Sequence, residues 1–187
     1  YKCFLRLKDS AFAEKTFALF PTLVFGGTLN KKSRFPVSYL TSGLKEINKW
    51  LWLARFLKLN SKFHFIHAND IAQICGFLIK NHNKEAYRGF KKFVLGQNFI
   101  SIDDAINILL KRSNMSRYFS IPLTRKIITI LLRVLPIKTT AWDSFSIKKY
   151  DFNHHPITNP ETFNLKSYAK TLNDILRLAK LPGCNIN

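Results

Sequence analysis

The sequence predicts an α/β fold with parallel strands, and three observations predict it. Short apolar runs at Thr22-Leu23-Val24-Phe25, Phe63-His64-Phe65-Ile66 and Phe93-Val94-Leu95 have the length of buried strands. Each run ends at a turn signal: Gly26-Gly27, His67-Ala68-Asn69-Asp70 and Gly96 respectively. The second and third then lead into helix-spaced segments, and strand–helix alternation of this kind builds βαβ units around a parallel sheet.

Taken in order, residues 9–19 place Ala11, Ala13, Phe17 and Ala18 at helix-compatible spacing, and Pro21 stops the pattern. After the strand at 22–25 comes a polar, basic loop, 28–36. Ser42-Gly43 then opens a predicted helix over 44–57, with Ile47, Trp50, Leu51, Ala54 and Leu57 as its apolar stripe. The strand at 63–66 feeds a helix over 70–81 that Asn69 or Asp70 is placed to cap. The strand at 93–95 feeds a helix from Ser101 to about Arg112, entered through a Ser-x-x-Asp pattern formed by Ser101 and Asp104. Beyond Ser113 the pattern changes. Extended residues 118–121 precede Pro122, helices are predicted over 123–135, 141–148 and 165–179, and 151–160 is irregular.

No internal repeat or low-complexity linker divides the chain, so it reads as one partial domain over 1–187. Residues 1–112 hold the end of the sheet with its crossover helices, and 113–187 form a helical cap on the substrate side.

Thirty Lys and Arg stand against 11 Asp and Glu, a formal charge of +19. A charge of that size raises nucleic acid or an anionic surface as partner. The basic residues are scattered from Lys2 to Lys180 without a long block, which favours a solvated face over a dedicated nucleic-acid site. Cys3, Cys75 and Cys184 are odd in number and form no CxxC pair, as expected of a reducing, cytoplasmic setting, and Cys75 lies in an apolar run as a small core residue. The most apolar stretch, 127–137, contains Arg133 and Pro136 and falls short of the roughly 20 residues a membrane span needs, so no span is predicted. No signal peptide is visible, and the first residue is Tyr1 rather than Met, which points to a missing upstream portion.

Three segments in register resemble one family. Pro21-Thr22-Leu23-Val24-Phe25-Gly26-Gly27 resembles the RPTxVYGP strand and loop of the extended short-chain dehydrogenases/reductases, the NAD-dependent epimerase/dehydratase group. Phe65-Ile66-His67-Ala68-Asn69-Asp70-Ile71-Ala72 resembles their FVHVDDVA segment, and the run from Phe93 to Ala105 resembles the strand-to-helix passage YNLGGGEPVSLRELA. The resemblance covers roughly residues 9–112. It implies the C-terminal part of a Rossmann-like, doubly wound parallel sheet with a helical substrate-binding region. It also implies NAD or NADP in the complete protein and a small-molecule substrate.

The family's catalytic parts are not found in this chain. There is no glycine-rich phosphate-binding motif. Phe4-x-x-x-Lys8 has the spacing of the catalytic Tyr-x-x-x-Lys pair with a phenylalanine, which cannot move a proton, in place of the phenol. No catalytic residue is therefore assigned, and no cofactor is expected to bind tightly to this chain alone. By resemblance, Pro21, Gly26 and Gly27 approach the nicotinamide end of the cofactor, the glycines serving equally well as a strand-to-loop turn. His67 and Asp70 form a structural helix start, with Asp70 near the positive end of the helix.

On strand alternation His64 is expected to face solvent, and His154-His155, lacking a nearby Cys or Glu, are weak evidence for a metal. Where nucleotide-sugar epimerases of the family often carry an arginine four residues before the motif histidine, Phe63 stands here. Lys62 or the Lys31-Lys32-Arg34 cluster could replace that phosphate contact, although solvated charge is the favoured reading of each. Gln97, Asn98 and the stretch 113–122 are the remaining candidates for substrate binding. The rival class is a non-catalytic, reductase-like binding protein, an RNA-binding or assembly subunit, and a lack of aromatics interleaved with the basic residues counts against it.

Overall fold

The computed structural model describes residues 2–26, 50–124, 126–127, 145, 149 and 151–178. Gly27, Lys31, Lys32, Arg34 and the predicted helix over 141–148 lie outside the described residues, apart from Phe145 in that helix. So does most of the helix predicted over 123–135 and the first part of that over 44–57.

The elements are helix α1 (Lys2–Lys8), strands β1 (Phe17–Pro21) and β2 (Leu23–Phe25), and the short helix α2 (Leu51–Ala54). Strands β3 (Leu57–Lys58), β4 (Lys62–Phe63) and β5 (Phe65–His67) follow, then helix α3 (Ala68–Asn81). Strands β6 (Lys91–Leu95) and β7 (Ile100–Ser101), helix α4 (Ile102–Arg112), strand β8 (Ile121–Pro122) and helix α5 (Leu172–Leu178) come next among the described residues. The protein is α/β. The pairs β1–β6, β2–β5 and β3–β8 run parallel, and β4–β7 runs antiparallel.

Hydrogen bonds beyond the ladders show how the strands meet. Thr22 N–H donates to Leu95 O, Leu23 N–H donates to His64 O, and Gln97 N–H donates to Phe65 O. Strand β5 thus has β2 on one edge and Gln97 on the other. It sits in a fork where the chains 17–25 and 91–97, paired at β1–β6, diverge. Adjacent Thr22 and Leu23 both turn N–H toward this flank, as at a β-bulge. Gly96 stands at the crotch, where a Cβ would lie 3.0 Å from Thr22 Oγ1 and 3.2 Å from His64 Cβ. On its far edge β6 holds Thr158 through Thr158 N–H to Val94 O and Gly96 N–H to Thr158 O.

β5 is buried on both faces, and its successive residues feed two cores. Phe65 joins the cluster of Phe25, Leu51 and the inner faces of α4 and α5, including Leu109, Leu110, Ile175 and Leu176. Ile66 joins the cluster with Ile74 and Leu78 of α3, Leu95 and Phe163. The spacing of those helix residues, three to four apart, is what presents one apolar stripe to the strand.

Several expectations are corrected. Residues 17–21 are strand, not the end of a helix over 9–19; only α1 and a single 3-10 turn at Ala13–Lys15 precede them. Ala and Leu are good helix formers, but pairing with β6, more than 70 residues later, overrides that preference. Leu57 leaves the predicted helix to pair with Ile121 in β3–β8. Helix α3 starts earlier than expected and is capped by His67 rather than by Asn69 or Asp70. Residues 165–171 are not helical. The last helix begins only after Thr171, whose Oγ1 accepts from Asp174 N–H while Asp174 Oδ2 accepts from Thr171 N–H. Ser101 does cap α4, its hydroxyl accepting from Asp104 N–H.

Candidate functional site

Two places gather the chemically capable side chains. The first is the junction at the start of α3. His67 precedes the helix in extended conformation, and its Nδ1 accepts from Asn69 N–H at 3.0 Å. An accepting Nδ1 makes the neutral ring an Nε2–H tautomer. The ring packs edge-on to Phe25 and 4.4 Å from the Tyr168 ring centroid. Burial holds its pKa below the ordinary imidazole value, with the Asp70 charge opposing that shift.

Asp70, one turn into α3, is completely buried. Its Oδ1 accepts from Tyr168 N–H at 2.6 Å, and its Oδ2 accepts from Gln97 Nε2 at 3.4 Å and from Ala169 N–H at 3.5 Å. Gln97 also donates to Ser167 Oγ at 3.0 Å. Residues nearly a hundred positions apart are thus tied to one carboxyl group, and this capture of N–H groups keeps 167–169 out of helical conformation. Gln97 is 1% exposed and engaged on both partners, so it presents no group to a solute, whereas Asn98 beside it is exposed.

Gly26 ends β2 with φ +154°, and a Cβ there would stand 2.9 Å from Ala68 Cβ. The space a side chain would take is filled by helix α3, so the glycine answers to the packing of the strand end on the helix. It does not leave a vacant cradle for a cofactor. Pro21 is exposed at the end of β1. Together with the lack of a glycine-rich loop, these residues do not by themselves fit a dinucleotide.

His64 is 3% exposed, a correction to the expectation that it faces solvent. Residue 64 falls between antiparallel β4 and parallel β5, so strand alternation does not carry through it. Its Nδ1–H donates to Gln97 O at 2.8 Å, and its Nε2 accepts from His154 N–H at 3.1 Å. This ties 153–155 against the fork. Burial, then the charge of Lys149, lowers the pKa of His154. Among the described residues no group of three or more His, Cys, Asp or Glu is arranged to hold a metal ion.

The second place is the β3–β8 ladder. Arg117 is anchored inward: its guanidinium donates to Asp103 Oδ1 at 2.6 Å, Leu57 O at 2.7 Å and Ser120 Oγ at 3.1 Å, and also to Asn107. That anchor turns the next two residues outward, Tyr118 at 56% and Phe119 at 70% exposure. Tyr118 stacks on Phe56 with 14° between the rings, and Phe119 lies 5.5 Å from Phe56. The Arg55 guanidinium covers Tyr118 at 4.1 Å, while Arg55 Nε is buried and makes no hydrogen bond. Beside these rings is an open cavity of about 400 Å³ lined by Lys58, Asn60, Ser120, Pro122, Leu123 and Thr124.

The sequence showed no aromatic residues interleaved with basic ones along one strand. The fold interleaves them across two, joining Arg55-Phe56 to Tyr118-Phe119. Lys62, the suggested phosphate contact, instead lies with its ammonium 4.5 Å over the Phe99 ring.

No protein-family model matches this sequence, and no curated protein matches it significantly. Among solved structures, gox2253 superposes with a TM-score of 0.44 at 9% identity, over 96% of this chain and 42% of that one. A nucleoside-diphosphate-sugar epimerase from Staphylococcus aureus, SAV0421, superposes with a TM-score of 0.38 at 15% identity, over 75% of this chain and 44% of that one. The chain thus spans less than half the length of either. At these scores neither likeness decides the fold, which rests on the strand pairing described above.

Proposed function

We propose that this chain is the substrate-binding C-terminal part of an NAD(P)-dependent oxidoreductase or epimerase of the extended short-chain dehydrogenase type. Cofactor binding and proton transfer fall to an N-terminal half outside this sequence. The observation that carries the reading is the edge of β1. Thr16 O and Thr22 N–H both bond across to β6, so by alternation Ala18 and Phe20 face β6 as well. The main-chain groups of Phe17 and Leu19 therefore point to the other edge, where no strand pairs among the described residues.

Apolar side chains flank that edge on both faces, with Phe20, Leu23 and Val24 each about 40% exposed. Helix α1 buries none of its residues. An open, parallel, apolar edge is the place for a sheet to continue, and an unprotected one is an aggregation hazard. The substrate side is then formed by Asn98 and by 113–122.

The test is to read the coding frame immediately upstream of Tyr1 and to express the joined chain. A glycine-rich strand-turn-helix with a Tyr-x-x-x-Lys pair, giving a product that quenches NADH or NADPH fluorescence on binding, supports the reading. A start codon directly ahead of Tyr1, in a chain that stays monomeric and stable alone, overturns it.

A further inference from the structure

We infer that the shelf on β3–β8 binds single-stranded RNA, with bases stacked on Tyr118 and Phe119 and the phosphodiester backbone led past Arg55 and Lys58 into the neighbouring cavity. This inference shares the stretch 113–122 with the proposed substrate side, but it uses none of the residues at the β1 edge, the observation that carries the oxidoreductase reading, and none at the α3 junction.

Four features of the shelf point to that ligand. Its rings are held in place: Phe56 and Tyr118 are stacked with nearly parallel planes, Arg55 lies over them, and Arg117 pins the segment from below through four acceptors. A rigid, solvent-facing aromatic platform loses little conformational freedom when a base stacks on it, and stacking tolerates any base because each has a π face. Cations not used up in ion pairs stand beside the rings. Arg117 is spent on Asp103, but the Arg55 guanidinium makes no ion pair among the described residues, and exposed Lys58 lines the cavity. The cavity wall is mixed: beside Pro122 and Leu123 it carries the Asn60 amide and the Ser120 and Thr124 hydroxyls, groups that can meet phosphate oxygens and a 2′-hydroxyl. Finally, a chain carrying +19 attracts a polyanion from any direction, and the shelf gives that attraction a place to dock.

The experiment uses the full 187-residue chain and a fluorescein-labelled 12-nucleotide oligo(U), followed by anisotropy over a salt series. Binding is expected to weaken about tenfold for Tyr118→Ala and again for Phe119→Ala, the range seen when a stacking ring is removed. The Lys58→Gln variant is expected to lower the slope of log affinity against log salt by about 0.7, the value for one phosphate contact on a single strand. Phe119 is 70% exposed, so its variant keeps the assay interpretable if Tyr118→Ala misfolds.

The control is Lys80→Gln with Lys84→Gln, two exposed lysines at the far end of α3 and just beyond it. If that pair weakens oligo(U) as much as the shelf variants do, the binding is unspecific charge and the inference falls. It falls as well if the chain prefers phosphatidylglycerol vesicles to oligo(U), or if oligo(dU) binds as tightly as oligo(U).

Discussion

The α3 junction and the β3–β8 shelf are built from similar materials, rings and charged groups on short strands, and they are finished in opposite ways. At the junction the polar groups are turned on the fold itself: Asp70 accepts from Tyr168, Ala169 and Gln97, and His67 Nδ1 caps the helix. On the shelf Phe119 lies open to solvent and Arg55 keeps a buried nitrogen unpaired. The difference teaches where shape is made and where it is offered. A buried His and carboxylate three residues apart look catalytic in the sequence, yet here they set the position of distant segments, while binding capacity sits on a two-residue ladder.

The comparison predicts its own largest breakage. Asp70→Ala leaves the Tyr168 and Ala169 N–H groups without their acceptor while Gln97 keeps Ser167, and since each such donor costs about 1–3 kcal/mol, the variant is expected to lose about 2 kcal/mol or more. Urea denaturation reads this as a lowered midpoint. A loss under about 1 kcal/mol would mean that the junction is not a pin and that its carboxyl group is free for other work.

Glycines separate close packing from mere permissiveness. Gly26→Ala drives a Cβ to 2.9 Å from Ala68 Cβ at a positive φ, and is expected to cost about 2 kcal/mol. Gly96→Ala, pressed by Thr22 and His64 at the crotch of the fork, should cost about 1 kcal/mol or more. Gly76 lies inside α3 with nothing within 4 Å of a built Cβ, so Gly76→Ala is expected to stabilise by about 0.5–1 kcal/mol. The opposite signs, measured as shifts in midpoint, distinguish a glycine held by packing from one that only weakens a helix.

How much of this was legible beforehand follows from the reach of each interaction. The strand cores at Leu23–Phe25, Phe65–Ile66 and Phe93–Leu95 could be read because an apolar run and its turn are local features. So could the Ser101 cap, which acts within three residues. The strand at Phe17–Pro21 could not be read, because only β6 distinguishes it from a helix. The burial of His64 depends on the fork, and the role of Asp70 on Tyr168 and Ala169. The shelf was invisible because residues 55–56 and 117–119 meet only when Leu57 pairs with Ile121. In the sequence it leaves a trace only as part of the candidate binding stretch 113–122.

Acid should loosen the junction more than the shelf, which has no histidine. His67 and His154 both have pKa values lowered below 6.5 in the folded chain. Between those values and 6.5 the unfolded chain binds more protons, so folding stability is complete above pH 6.5 and is lost as pH falls below it. Protonation at Nδ1 also removes the acceptor that caps α3. Urea midpoints are expected to be lower at pH 5.5 than at pH 7.5. His67→Asn, which keeps a capping oxygen without a titrating ring, should reduce that difference, and an undiminished difference would place the acid sensitivity elsewhere.

The smallest effect belongs to the shelf itself. Phe119 contributes one exposed ring to a surface already fixed by Arg117, and substitutions of that kind change stability by less than about 0.5 kcal/mol. Phe119→Ala should therefore unfold at the midpoint of the parent chain. A drop of more than about 1 kcal/mol would show that the ring supports the fold as Phe65 does, and the contrast between an offered surface and a pinned interior would not hold.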